Sequence, residues 1–193
     1  MLEGFFLSMV DLVESQIIAS IKREEDVEKA INSQANISFL LTGNLLNCKD
    51  YISKLKEHGM RVFIHLDLIE GIGPNRSAIQ YIAKEWKPDG IISTKSNLIK
   101  YANDEGLYTI QRIFLIDRGA INKGIEVINN CKPDAVEVLP GLMPKVIDQL
   151  SREIPIPLIV GGLITTKEEV LQALEAGALA VSCGSPKLWN LDL

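Results

Sequence analysis

At 193 residues the chain has the length of one domain, and 47% apolar against 23% charged residues supplies a full core. A formal net charge of -5 and a sequence pI near 5.1 exclude a broad basic face for nucleic acid and leave room only for a local one. No run approaches the roughly 20 apolar residues of a membrane-spanning helix.

The opening residues 1–15 read as an extension ahead of a main domain over 16–193. The apolar stretch within 4–10 lies between Glu3 and Asp11 without a basic lead, unlike a secretory signal. Phe5, Phe6, Met9, Val10, Leu12 and Val13 are spaced for a helix under the domain; a poorly ordered end is the other reading. Apolar runs rich in Val, Ile and Leu then follow at 17–21, 37–42, 62–67, 90–94, 108–112, 135–139, 158–161 and 179–183. Gly, Pro or Asp bound them, as buried parallel strands require. Between them lie amphipathic stretches. Tyr51, Ile52 and Leu55 share one helical face, with Asn47 and Asp50 placed as an N-cap pair. Thr166 and Glu169 have capping-box spacing ahead of Val170, Leu171 and Leu174. Gly59, Gly106 and Gly177 end helical runs. Lys87-Pro88-Asp89 recurs as Lys132-Pro133-Asp134, each time just before a strand. Cys48, Cys131 and Cys183 match no metal-ligand spacing and read as reduced thiols in a cytoplasmic protein; no metal or cofactor is expected.

Eight strand–helix repeats predict a compact single-domain α/β fold, a closed (β/α)8 TIM-type barrel. An open doubly wound sheet, with its usual five or six strands, accommodates them less well. At 193 residues the barrel is close to minimal, since such domains run to about 250.

Functional groups of such barrels gather at the carboxyl ends of the strands, with phosphate after strands seven and eight. The turns there contain Gly161-Gly162 and Gly184-Ser185-Pro186. Glycines let backbone N–H groups approach an anion, and Ser185 with Pro186 suits a helix start. The plainer reading is that these glycines only fit tight turns. Alternation places His65 and Asp67 inside on strand three and Glu137 inside on strand six. Lys95 closes strand four, and Gln111 and Arg112 close strand five, with Gln111 favoured for the interior. Such groups are either paired in a structural network or bound to a polar ligand. A structural role is favoured for His65, ligand contact for Asp67 and Glu137. Beyond Arg112 the run Ile113-Phe114-Leu115-Ile116-Asp117 is too apolar for an ordinary rim loop. It predicts a lid, a partner contact or a longer strand. On residues alone an isomerase-like enzyme is also open, with Glu137 as general base and Lys95 or His65 as electrophile.

The segments His65-Leu66-Asp67-Leu68-Ile69-Glu70-Gly71, Lys87 to Lys95, Gln111-Arg112, Lys132-Pro133-Asp134, Val136 to Gly141, Gly161-Gly162 and Lys187-Leu188-Trp189 together resemble the glycerol-3-phosphate-responsive antiterminator family. The resemblance runs from Ile17 to Trp189. It implies a bacterial regulator of glycerol-uptake operons that binds glycerol 3-phosphate and acts on leader mRNA so that transcription passes a terminator, without turnover. Carried over, the phosphate meets Gly161, Gly162, Gly184 and Ser185, while Asp67, Lys95, Gln111, Arg112 and Glu137 are candidates for polar contacts. No membrane partner is implied, and a homo-oligomer is left open. No aromatic or arginine-rich RNA-reading motif is present, so the mRNA surface has only scattered candidates: Arg76, Arg118, Lys123 and Lys187.

Overall fold

A computed structural model describes residues 8–193. Eight parallel strands close into a barrel in chain order: β1 (Ile17–Ile21), β2 (Ile37–Leu40), β3 (Arg61–His65), β4 (Gly90–Ser93), β5 (Tyr108–Phe114), β6 (Ala135–Leu139), β7 (Leu158–Gly161) and β8 (Ala180–Cys183). A short helix, α1 (Met9–Leu12), precedes β1. The outer layer follows the strands: α2 (Asp26–Ile31), α3 (Cys48–Glu57), α4 (Arg76–Tyr81), α5 (Ser96–Asp104), α6 (Arg118–Cys131), α7 (Pro144–Glu153) and α8 (Lys167–Glu175). After β8 there is only a 3-10 turn, Pro186–Leu188. The fold is thus a TIM-type barrel, as the repeats predict.

Alternation along each strand sorts the core into two sets. Val62, Ile64, Ile91, Val136, Val138, Val160 and Val181 face the helices. Ile18, Ile37, Phe39, Phe63, Ile92, Ile110, Ala135, Ile159 and Ala180 fill the interior, joined at the bottom by Met9 and Leu12 of α1. Ser8 and Asp11 cap α1 reciprocally. Asn36 ties the following backbone to the start of β2, accepting from the Glu14 and Ser15 amides and donating to the Leu12 carbonyl. Phe5 and Phe6, singled out for a bottom helix, lie outside the described residues. The interior leaves no room for a side chain at Gly90. A Cβ there would stand 2.4 Å from the Phe63 ring, whose edge-to-face contact with Phe39 fills the barrel axis.

The Lys-Pro-Asp repeat has one physical role in both places. Lys87 and Lys132 adopt left-handed backbone (φ 51° and 48°), so each turns the chain out of its helix. The aspartate two residues on then staples its strand to the preceding one. Asp89 accepts from the Val62 amide and Arg61, and Asp134 from the amide and hydroxyl of Thr109. Thr166 and Glu169 form the expected capping box on α8. Asn47 instead turns its carboxamide oxygen to the Asn44 amide and makes no side-chain cap on α3.

Among the strand ends that differ from the sequence reading, those of β3 and β5 bear on the site. β3 stops at His65, because Leu66–Leu68 winds into a 3-10 turn that carries Asp67 out of the ladder. β5 runs on to Phe114, held in register by Phe114 opposite Leu139 on β6. The apolar run after Arg112 is therefore strand as far as Phe114. Leu115 is buried beyond it, and Ile116 is 88% exposed.

Candidate ligand-binding site

The carboxyl ends of the strands enclose a cavity of about 670 Å³. Its polar lining comes from inward positions of β1, β5, β6 and β8 (Ser20, Lys22, Arg112, Glu137 and Ser182) and from the turns after β7 and β8. Leu41, Leu68, Phe114, Leu139 and Leu163 form its apolar walls.

Its floor is a buried polar set. Arg112 Nε donates to Glu137 Oε2 at 2.6 Å, and Ser182 Oγ donates to Glu137 Oε1 at 2.5 Å. Glu137 is wholly buried and Arg112 nearly so. Two buried charges persist together because each neutralises the other; removing one strands its partner at a cost of roughly 3–5 kcal/mol. Gly161 makes room for this set, since a Cβ there would stand 2.0 Å from Ser182 Oγ and 3.2 Å from Glu137 Oε1.

The two glycine turns form one wall. Gly162 and Leu163 both have left-handed backbone (φ 75° and 63°), and a leucine in that region is under strain of the kind found at functional sites. Among the described residues the backbone N–H groups of Gly162, Leu163, Ile164, Gly184 and Ser185 donate to no protein acceptor. The turn after β8 is anchored by Trp189, whose indole N–H donates to the Cys183 carbonyl at 2.7 Å. Pro186 does begin a helical turn, but it is a single 3-10 turn and Ser185 makes no side-chain cap. An anion placed here would meet open amides and a nearby side chain rather than the end of a helix dipole.

Not every predicted residue joins this site. Gly162, Gly184, Ser185, Arg112 and Glu137 line the cavity, whereas Gly161 lies behind it as the spacer for Glu137. Asp67 sits one strand over, with its carboxylate taken by Ser93 Oγ and by the Thr94 amide and hydroxyl. Lys95 Nζ lies 3.8 Å away. These two tie the β3 and β4 ends together and do not line the cavity. Gln111 corrects the expected inward orientation. Because β5 continues past it, alternation holds, and Gln111 points to the helix layer. There its amide donates to the Ser93 and Thr94 carbonyls and its oxygen accepts from Cys131 of α6. Arg112 takes the inward place.

His65 is buried inside, 3% exposed, with Nδ1 unpartnered and 3.9 Å from Asp67 Oδ2. Burial first, and the Arg112 charge second, push its pKa down to about 4, so the ring is neutral at pH 7. Ser20, Lys22, Thr165 and the cavity role of Ser182 escaped the sequence reading. The signal was there in Ile18-Ala19-Ser20-Ile21-Lys22, where polar residues take alternate, inward positions as an apolar strand runs out.

Fold and site together define a (β/α)8 barrel whose mouth holds a buried acid–base pair beside an amide-lined turn. The profile described as "Glycerol-3-phosphate responsive antiterminator" matches residues 17–189, and the chain belongs to that family. It is 35% identical to the glycerol uptake operon antiterminator regulatory protein from Listeria monocytogenes, with a TM-score of 0.87 over 91% of this chain and 95% of that one. A glycerol uptake operon antiterminator-related protein from Thermotoga maritima is 33% identical, with a TM-score of 0.80 over 90% and 96%. The protein YgcP of Escherichia coli (strain K12) is 34% identical over 93% of this chain and 94% of its own. No helix among the described residues is long and apolar enough to cross a membrane.

Proposed function

We propose that this protein is a cytoplasmic transcription antiterminator that takes glycerol 3-phosphate in the barrel mouth and, so loaded, acts on the leader mRNA of glycerol-uptake operons. The observation that carries the reading is the pairing, in one cavity, of unsatisfied amides after β7 and β8 with the Arg112–Glu137–Ser182 floor. A phosphate accepts hydrogen bonds only, which suits the amides. Hydroxyl groups both donate and accept, which suits a carboxylate held between an arginine and a serine. The ligand thus lies with its phosphate toward Gly162, Gly184 and Ser185 and its diol toward Glu137 and Arg112. Membership of the family supports the same ligand and the regulatory role.

The isomerase-like alternative draws little from this geometry. Its two candidate electrophiles do not line the cavity with Glu137: Lys95 is engaged with Asp67, and His65 is buried and neutral. Calorimetric titration with glycerol 3-phosphate, with glycerol and inorganic phosphate as controls, tests the reading. Saturable heat from the ester alone, with no continuing heat of turnover, is expected. No heat at millimolar ester, or steady turnover, contradicts it.

A further inference from the structure

The charged side chains lining the mouth are Lys22, Arg112 and Glu137. Arg112 and Glu137 neutralise each other, so the lysine leaves the cavity with one uncompensated positive charge. Lys22 has no ion pair or hydrogen bond with any described residue, although the flanking Arg23 and the nearby Lys29 are both engaged with carboxylates. Its side chain is exposed at the mouth. Following the inward row Ile18–Ser20–Lys22, it emerges from β1 and crosses to β8, and its stem and ammonium pack on Gly184. A Cβ at Gly184 would stand 2.9 Å from Lys22 Nζ and 3.0 Å from Cε. The ammonium is thus set beside the open amides of Gly184 and Ser185.

We infer that Lys22 is the phosphate-selecting residue of the mouth. This rests on the proposed reading of the cavity as a phosphate-ester site and assigns its charge selectivity to one side chain just after β1, beside the glycine turn that follows β8. A single compact ammonium beside amides favours a dianion over a monoanion or a neutral polyol. The second proton of a phosphate monoester is lost near pH 6, so the selectivity has a signature in pH. Arg112 and Glu137 are the other charged groups of the cavity, and His65, close to Arg112, stays neutral down to about pH 4.

The test is calorimetric titration of glycerol 3-phosphate into wild type, Lys22→Met, Lys22→Arg, Gly184→Ala and Lys145→Met, at about pH 7.5 and about pH 5.5. Lys22→Met is expected to weaken binding by about tenfold at the higher pH and to flatten the pH dependence, whereas Lys22→Arg keeps most of both. Gly184→Ala, whose backbone needs no left-handed conformation, folds, and because the flexible end of Lys22 can shift aside it lowers affinity less than Lys22→Met does. Lys145→Met, a rim lysine outside the cavity lining, leaves binding unchanged. Wild-type affinity and pH profile in Lys22→Met, or equal losses in Lys145→Met, overturn the assignment while leaving the ligand reading intact. Failure of wild type itself to bind the ester removes the ligand reading, and the assignment with it.

Discussion

His65 illustrates how much a single side chain can store. Its ring is enclosed between Asp67 and Arg112 with one nitrogen unpartnered, and its pKa is driven from 6.5 to about 4. The unfolded chain therefore binds a proton on this histidine before the folded chain does. Stability from the neutral ring is complete above about pH 6.5 and is lost as pH falls through about 4, to a total of about 3 kcal/mol. Denaturant unfolding of wild type and His65→Gln between these limits should show the wild type losing that extra stability, and parallel curves would contradict it. The parity of β3 made the inward position of His65 readable from Val62 and Ile64 alone. Its lack of a partner was not readable, because that depends on Asp67 turning away to Ser93 and Thr94, a long-range choice. Lys22 was missed for a related reason. In the run Lys22-Arg23-Glu24-Glu25 it looks like any solvated charge before a helix; its alternation with Ser20 marks it as inward, but its place beside Gly184 follows only from the closure of β1 on β8.

At the level of elements, strand ends decide what reaches the mouth. Residues of β5 alternate as far as Phe114, so Arg112 and Phe114 line the cavity and Gln111 does not. The sequence pointed to both Gln111 and Arg112 because a strand ending at Arg112 loses its parity there; the pairing of Phe114 with Leu139 is what preserves it. The turn after β3 and the end of β5 each place one apolar side chain on the cavity, Leu68 and Phe114, both about half exposed. A ligand seated on Arg112 and Glu137 shelters these side chains, and the loops gain order with them. Hydrogen exchange over 66–75 and 113–117 is therefore expected to slow on saturation with glycerol 3-phosphate. Unchanged exchange there would rule out these loops as the element through which ligand binding is relayed, since a ligand shifts an equilibrium only by contacts that differ between its states.

For the whole molecule, the barrel was legible because eight β-branched runs recur with helix stops between them, and because the Lys-Pro-Asp repeat marks two equivalent strand entries. The glycine turns that wall the cavity were legible in the sequence, while the lysine beside them was not singled out. A net charge of -5 makes general attraction of nucleic acid unfavourable, so the proposed action on RNA would require a local surface. Arg118, Lys123 and Lys187 stand at or near the carboxyl-end rim, and none has an ion-pair partner among the described residues. Arg76 is instead paired with Asp104. The most direct measurement is single-round transcription through a glycerol-uptake operon leader, with the protein present and glycerol 3-phosphate added or withheld. Read-through of the terminator is predicted to rise only when protein and glycerol 3-phosphate are both present, with the ester recovered unchanged. Read-through indifferent to the ester, or consumption of the ester, would contradict the account.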